Sequence, residues 1–270
     1  MRSLRIASAV VLASTLLLLR SSAQSTDEAS LRDLLIRMQG NLADYQRNVP
    51  NFFCDEHVLS SIEEKHALQR TSTDSIFRLR RSTTPAGELE FTESREIAKR
   101  NGQPAQGEKI QGPAIFSGAF TNAAAVVSLD LAHCYDYKLL PNTRLGKSPA
   151  IVVDFASQES ALTDSFCPTP ERVAGRAYID PENFHLLRVE AQIPDHDTVN
   201  GILSLWTWEI DYAPVSFDSR QFWMPRRIAS SAKANDKTAV WSFTANYSNY
   251  HKLTVNSRII TDTGDNPQPR

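Results

Sequence analysis

The sequence is poor in the features that mark most enzymes. It contains no Gly-x-Ser-x-Gly motif, and no serine or cysteine stands in a recognisable nucleophile elbow with a base beside it. Nor is there an excess of positive charge, since 29 basic residues face 31 acidic ones. Nucleic-acid binding needs a basic field that neutralises phosphates, so we expect no nucleic-acid partner.

Long apolar runs are also scarce, and the first lies at residues 6–19, after Arg2 and Arg5 and before Ser21-Ser22-Ala23. This order of charged, apolar and small residues predicts a secretory signal peptide at 1–23. A membrane anchor needs about 18 apolar residues, and this run is shorter and interrupted by serines. Without the three arginines of this segment, 26 basic residues remain against 31 acidic ones, a net charge near −5. No second such run follows, so we expect a periplasmic or secreted protein without a membrane span.

Cysteine occurs three times, an odd number that allows one internal disulfide and leaves one thiol free. Cys134 precedes an alternating strand and Cys167 lies in a polar loop, so we favour a disulfide between these two. Pairing of Cys54 with either of them is the alternative. No cysteine precedes Cys54, which argues against lipid attachment at a new N-terminus.

An amphipathic helix is predicted over residues 26–47. Its apolar side chains recur at the spacing of a single helix face. They are Leu31, Leu34, Leu35, Met38, Leu42 and Tyr45. Ser25 or Thr26 suits the N-cap, and Pro50 ends the helix because proline disfavours helical geometry in the residue before it.

Beyond residue 51 the apolar period changes from that of a helix to that of a strand. The predicted strands are 53–59, 75–81, 89–98, 135–140, 150–156, 173–179, 186–193, 202–212, 222–229, 238–247 and 252–260. Few helical stretches separate them, so the strands are expected to be antiparallel. The small, apolar segment 112–131 is interpreted as a loop and one short helix.

We therefore predict an α+β fold in which a large, curved antiparallel sheet packs against the N-terminal helix and the short internal helix. Residues 24–261 form a single domain in this interpretation. The polar segment 262–270 is predicted to be a disordered tail.

One face of the predicted sheet is rich in aromatic side chains. Alternation along two strands places one set of residues on a common side. The set consists of Trp206, Trp208, Ile210, Tyr212, Trp241 and Phe243. These are the candidate ligand-binding residues, because such a face suits an acyl chain or another apolar ligand. The same side chains would also fill an ordinary packed core.

Several local patterns resemble those of a group of exported bacterial proteins. They are Asn-Val-Pro-Asn-Phe-Phe-Cys at 48–54, Gly-Arg-Ala-Tyr-Ile-Asp at 175–180, Phe-Trp-Met-Pro at 222–225 and Ala-Asn-Tyr-Ser-Asn-Tyr at 245–250. The fold of that group resembles the LolA-like half-barrel of periplasmic lipoprotein carriers, in which a curved sheet wraps helices around an apolar cavity. The resemblance implies a lipid or lipoprotein partner. It also implies a cysteine near Asn246 as the partner of Cys54, and its absence here favours Cys54 as the free thiol.

Three polar clusters are interpreted as structural rather than functional. Cys54 and His57 would face opposite sides of a strand, which is unsuited to thiol chemistry. The turn that contains His196 is interpreted as solvated, because metal sites draw ligands from several elements. Glu90, Glu93 and Glu96 are interpreted as a charged outer strand face. We predict no catalytic residue, no metal and no cofactor.

The function predicted from these features is non-enzymatic. We expect a cell-envelope protein that binds the apolar chain of a lipid or lipoprotein in a cavity of the curved sheet. The alternative is an envelope interaction or sensor module with a filled core and no ligand, and an exported hydrolase with a site assembled from distant residues is the third hypothesis. Fold does not fix function, and the sequence leaves the oligomeric state open.

Overall fold

The structure is a computed structural model that describes residues 30–65, 67–105, 118–121, 123–197 and 203–254. The predicted signal peptide, the predicted helix cap and the predicted tail at 262–270 lie outside the described residues, as do the first residues of the segment 112–131.

Within these residues one sheet contains eleven strands. Their bounds are β1 Phe52–Glu64, β2 Ala67–Thr83, β3 Leu89–Arg100, β4 Gln103–Pro104, β5 Tyr135–Leu145, β6 Ser148–Ser157, β7 Ala174–Ile179, β8 Leu186–Asp197, β9 Leu203–Phe217, β10 Arg220–Ala234 and β11 Ala239–Lys252. The order across the sheet is β4-β3-β2-β1-β11-β10-β9-β8-β7-β6-β5.

The chain forms two antiparallel meanders, β1–β4 and β5–β11, and the pairing of β1 with β11 joins them. In the described residues β4 and β5 stand at the two ends of the sheet, so the curved sheet is open rather than closed. This confirms the predicted α+β architecture with a large antiparallel half-barrel.

The helix α1 occupies residues 30–48 of the described chain and ends one residue later than predicted. Leu34, Leu35 and Met38 are at most 5% exposed, which confirms that the apolar stripe packs into the core. Burial of such a side chain contributes about 1.5–3 kcal/mol. The amide of Val49 still donates to the carbonyl of Tyr45, at 2.8 Å, just before Pro50. Among the described helices, none has an apolar stretch of bilayer length.

The sheet has an apolar inner face, which packs against α1, and a charged outer face. On the outer face, basic and acidic side chains pair across neighbouring strands. Arg176 contacts Asp154 at 3.0 Å, and Arg188 contacts Asp211 at 2.6 Å. An exposed pair such as Arg176–Asp154 adds little stability, whereas Asp211 is buried, with 6% of its surface exposed. Opposite charges placed side by side support the observed strand register.

Cys134 and Cys167 form a disulfide with a Cα–Cα distance of 5.7 Å. The pairing that we favoured from the sequence is therefore the one found in the structure. Cys54 is a free, buried thiol.

The segment that leads into β5 differs in detail from the prediction. Instead of one short α-helix, the described part contains two 3₁₀ turns, Ala123–Val127 and Leu129–Leu131. Each is too short to gain the cooperative hydrogen bonding of an α-helix, and 3₁₀ geometry is common in pieces of this length. A third 3₁₀ turn, Glu159–Leu162, follows β6.

Candidate functional site

The predicted aromatic face lies on the inner side of the sheet. Strand pairing places Ala232 of β10 between Trp206 of β9 and Trp241 of β11. These large side chains therefore flank a small one in a single row across three strands. The side-chain alternation that defined the face is thus seen in the structure.

The next row of the inner face also places a small residue between two aromatic ones. Ser230 of β10 pairs with Trp208 on one side and with Phe243 on the other. The indole Nε1 of Trp206 donates to the hydroxyl of Ser230, at 2.7 Å. Because this bond satisfies the indole N–H and sets the ring direction, the Trp206 ring is held against the sheet.

A cleft of about 640 Å³ opens in front of Trp206 and Trp208. Its volume falls in the usual range of small-molecule sites, roughly 300–1,000 Å³. The other apolar side chains in its lining are Ala123, Ala125, Val126, Leu131, Tyr135, Phe155, Pro168, Val173 and Ile193. We refer to this space as the aromatic cleft.

Two irregular segments form the walls of the aromatic cleft. The first is the 3₁₀ segment 123–131, whose small side chains at Ala123 and Ala125 leave room in front of the sheet. The second is the loop that contributes Pro168 and Val173. The disulfide joins Cys134, which follows the first wall, to Cys167, which precedes Pro168 in the second wall. It therefore connects the two sides of the opening.

The floor of the aromatic cleft depends on a close approach of strands. Tyr135 and Phe155 meet edge to face, with ring centroids 5.7 Å apart. A Cβ atom on Gly175 would lie 2.6 Å from Cζ of Phe155 and 2.9 Å from Cα of Ala191. Only glycine fits at this position without displacing the ring or the neighbouring strand.

The rim of the aromatic cleft is polar. His196 Nδ1 lies 2.8 Å from the carboxylate of Glu171, and the imidazole ring packs on Trp206 with centroids 4.5 Å apart. Asp195 accepts a hydrogen bond from Asn235 at 3.1 Å. These groups of the predicted solvated turn thus bind protein neighbours. Polar groups around an apolar space can orient a ligand that has a chain and a polar end.

Only part of the predicted ligand-binding set lines the aromatic cleft. Trp206 and Trp208 do, whereas Ile210 is fully buried in the core. Phe243 is 6% exposed and packs in the core, and Tyr212 lines a different pocket under α1. Trp241 is partly buried and stands beside the others in the row across the sheet.

A charged cluster is buried on the inner face of β1–β3 and β11. Glu56 is 2% exposed and accepts hydrogen bonds from Ser75 at 2.6 Å, from Arg95 at 2.9 Å and from Tyr247 at 2.8 Å. The guanidinium of Arg95 also stacks over the ring of Phe77, 4.9 Å from its centroid. Charge-assisted bonds of this kind are stronger than neutral ones, so the cluster connects four strands.

The inward direction of Glu93 corrects the prediction of a charged outer face on β3. Glu93 accepts the amide of Gly118 at 3.2 Å and lies 4.0 Å from Arg95, and burial raises the pKa of its carboxyl. Glu96 does lie on the outer face, where it pairs with Arg78 at 2.7 Å.

The raised pKa of Glu93 predicts a pH-dependent stability. Its folded-state pKa exceeds the ordinary value of 4.5, so the folded protein holds this proton more tightly than the unfolded chain does. The free energy of unfolding should therefore fall as the pH rises from 4.5 through the folded-state pKa. Urea unfolding across this range should show the decline in the parent protein and in Glu96→Gln, and a smaller decline in Glu93→Gln. An identical pH profile in the parent and in both variants would contradict the assignment of this pH dependence to Glu93.

Cys54 and His57 do not form a nucleophilic pair. Burial, followed by the charge of Glu56, raises the pKa of the Cys54 thiol, which keeps it protonated. His57 faces the other side of β1, where its Nδ1 lies 2.6 Å from Asp74. In the described residues the group with metal-ligand spacing is His133, Cys134 and Cys167, and its two sulfurs are joined in the disulfide.

Comparison with known proteins gives structural similarity only. No protein-family model matches the chain, and no curated protein matches it. A DUF1329 family protein from Desulfovibrio piger covers 85% of this chain and 94% of its own, with 11% identity and a TM-score of 0.40. A LolA superfamily protein from Nitrosomonas europaea covers 81% and 93%, with 14% identity and a TM-score of 0.35.

A third similar structure is an outer membrane lipoprotein-sorting protein domain from Vibrio parahaemolyticus. It covers 80% of this chain and 92% of its own, with 11% identity and a TM-score of 0.36. LolA-type proteins are among these similar structures. At identities and TM-scores this low the similarity carries no argument, so function must be argued from the cleft itself.

Proposed function

We propose that this protein is a non-enzymatic protein of the cell envelope that binds the apolar chain of a lipid or lipoprotein in the aromatic cleft. The observation that carries the proposal is the cleft, a space of about 640 Å³ with Trp206 and Trp208 on one side. An acyl chain gains free energy in proportion to the apolar surface that it buries, about 25 cal/mol per Å².

The composition of the lining supports an apolar rather than a polar occupant. Aliphatic and aromatic side chains dominate the lining, while the carboxylate of Glu171 lies 2.8 Å from Nδ1 of His196 at the rim. This arrangement requires no chemical step, which agrees with the protonated thiol of Cys54 and its separation from His57. Export through the predicted signal peptide would place the protein where lipids and lipoproteins are carried.

A cleft-filling variant tests the proposal. Ala125 lines the cleft and is partly exposed, so Ala125→Trp should fill the space with little cost to folding. We expect it to weaken binding of the neutral fluorescent probe N-phenyl-1-naphthylamine, and of the fatty acids that displace it, by tenfold or more. Fluorescence titration of the purified protein measures both affinities.

Leu205→Trp is the matched control. Leu205 is 36% exposed and precedes Trp206 on β9, on the outer face, so the same bulk is added outside the cleft. The control should bind the probe like the parent. Equal affinities for Ala125→Trp and the parent would rule out the aromatic cleft as the binding site.

The alternative, an envelope interaction or sensor module without a ligand, also has a structural observation in its favour. Ile210 is fully buried and Phe243 nearly so, which shows that much of the inner face is packed core. Native mass spectrometry of protein from a bacterial periplasm distinguishes the two. A stoichiometric lipid that leaves on denaturation supports the carrier function, whereas a bare protein that also refuses added lipids supports the module.

A further inference from the structure

A third metal-binding side chain lies beside the disulfide, and the function proposed above does not use it. Nε2 of His133 is 3.4 Å from Sγ of Cys134. The imidazole nitrogen and the sulfurs of Cys134 and Cys167 all lie within 4.8 Å of one another. We refer to these three residues as the sulfur-imidazole cluster.

The spacing of the three atoms suits a tetrahedral zinc ion. Zinc binds thiolate sulfur at about 2.3 Å and imidazole nitrogen at about 2.0 Å, which places sulfur and nitrogen about 3.6 Å apart and two sulfurs about 3.8 Å apart. The nitrogen of His133 and the sulfur of Cys134 are already close to the first of these separations. Once the bond between the two sulfurs is broken, side-chain rotation brings them to the second, because their Cα atoms are only 5.7 Å apart.

A carboxylate beside the cluster offers a fourth ligand. Oδ2 of Asp164 lies 3.9 Å from Nε2 of His133. Its other oxygen accepts the amide of Phe166 at 2.9 Å, and its carbonyl accepts the amide of Cys167 at 3.1 Å. Zinc sites draw nitrogen, sulfur and carboxylate ligands from separate parts of a chain. Here the residues at 133–134 and at 164–167 supply all four.

The cluster is accessible from solvent on one side. The side chain of His133 is 50% exposed, Cys167 is partly exposed and its neighbour Phe166 is 84% exposed, whereas Cys134 is buried. An attacking thiolate therefore meets Cys167 first, and Cys134 is the leaving group next to the imidazole. Exposed disulfides are reduced more readily than buried ones.

Reduction by a dithiol converts the disulfide into two metal ligands. A thiolate of the dithiol bonds to Sγ of Cys167, the bond between the two protein sulfurs breaks, and Cys134 leaves. The second thiol of the reductant then closes a disulfide within the reductant and releases Cys167. The reductant loses two electrons and two protons, which the two cysteines gain. A zinc ion that binds both sulfurs releases the two thiol protons to solvent.

We propose that the reduced protein binds a zinc ion through the thiolates of Cys134 and Cys167 and Nε2 of His133, with the carboxylate of Asp164 in the fourth position. This site departs from the sequence prediction that no metal binds. It does not depend on lipid binding in the aromatic cleft. Because the two cysteines join the walls of that cleft, the ion would connect the walls again after the disulfide is lost.

Zinc titration of Cys54→Ala in its oxidised and reduced forms tests the proposal. This variant keeps Cys134 and Cys167 as its only cysteines. A phosphine reductant replaces the dithiol in the experiment, because dithiols bind zinc themselves. Loss of one supporting contact already weakens metal sites by about 10–100-fold. The oxidised form lacks two thiolates, so we expect it to bind zinc more than about a hundredfold more weakly than the reduced form. Competition with a chromophoric chelator measures both affinities.

His133→Asn in the same background tests the imidazole. It should weaken zinc binding by the reduced protein about tenfold or more and leave the urea midpoint of the oxidised protein unchanged, since the side chain is half exposed. His57→Asn is the matched control. Its imidazole is 49% exposed and also lies beside a carboxylate, that of Asp74, but it is on the outer face of β1. This variant should bind zinc like the parent.

Two further readouts identify the ligands and the effect on folding. Cobalt(II) in place of zinc should give a sulfur-to-metal charge-transfer band and the visible bands of a tetrahedral ion in the reduced protein, and neither in the oxidised protein. Zinc should raise the urea midpoint of the reduced protein alone, because the ion binds the folded state. This second readout also works if the reduced protein is partly unfolded before zinc is added.

Several results would overturn the inference. Equal zinc affinities in the two redox forms, or a cobalt spectrum without sulfur charge transfer, would show that the cysteines are not ligands. Equal zinc affinities of the reduced protein with and without His133→Asn would exclude the imidazole. Lipid-probe binding in the aromatic cleft is measured on the oxidised protein, so failure here leaves the carrier proposal standing.

Discussion

Replacing Glu56 by alanine should lower the free energy of unfolding by about 3–5 kcal/mol, the usual cost of breaking a buried ion pair on one side. The carboxylate is 2% exposed and binds Arg95, Ser75 and Tyr247. Without it, the guanidinium of Arg95 stays buried, and the carboxyl of Glu93 is 4.0 Å away. Urea unfolding followed by far-ultraviolet circular dichroism measures the difference.

Glu96→Ala is the matched control for this prediction. Glu96 of β3 pairs with Arg78 of β2, but its side chain is 67% exposed. Exposed pairs contribute about 0–1 kcal/mol, so this variant should stay within that range of the parent. A similar loss of stability in Glu56→Ala and Glu96→Ala would refute the structural role of the buried cluster.

Loss of the Cys134–Cys167 disulfide should destabilise the protein by about 3.7 kcal/mol. The bond closes a loop with a sequence separation of 33, and the chain-entropy relation for a loop of that length gives this magnitude. The midpoint of urea unfolding should therefore fall when the protein is reduced. The measurement is best made on Cys54→Ala, so that the third thiol does not complicate the comparison.

The same disulfide has a second expected effect, on ligand release. Because the disulfide joins the two walls of the aromatic cleft, its reduction should increase the dissociation rate of N-phenyl-1-naphthylamine. Stopped-flow experiments without urea, where the protein remains folded, measure this rate. Identical unfolding midpoints with and without reductant would mean that the bond contributes nothing to stability. Identical dissociation rates with and without reductant would show that the disulfide does not affect ligand release from the aromatic cleft.

The local elements and their faces could be predicted from the sequence, because each depends on a short-range pattern. The stripe at Leu34, Leu35 and Met38 follows helical spacing and is buried as expected. Alternation placed Trp206 and Trp208 on one side of a strand, and the structure keeps them there. The disulfide pairing that the sequence favoured, Cys134 with Cys167, is the one in the structure.

The inward direction of Glu93 was missed although a signal for it exists. Phe91 and Ile97 share its phase on β3, and Ile97 is 7% exposed. Those apolar positions mark the inner face of the strand, so the glutamate and Arg95 between them had to face inward too. Charge alone had suggested solvent, but inside the fold Glu93 accepts the amide of Gly118 and Arg95 donates to Glu56.

The aromatic cleft could not be assembled from the sequence because it depends on long-range pairing. Tyr135 and Phe155 belong to one end of the sheet, whereas the wall at Ala123 and Ala125 comes from an irregular segment with no period. Alternation assigns a side chain to one face of a strand, but it does not say which residues of that face are packed in the core. For that reason Ile210 and Trp208, only two positions apart, have different surroundings.

The shape of the aromatic cleft depends on the absence of a Cβ atom at Gly175. The carbonyl oxygen of Glu190 and the ring of Phe155 lie where any other residue would carry its first side-chain carbon. A single added methyl group would act as a wedge between β7 and β8 and would displace the ring that lines the cleft. The depth available to a ligand therefore depends on the absence of a side chain at Gly175. A substitution at this position could close the binding site although no ligand contacts the residue.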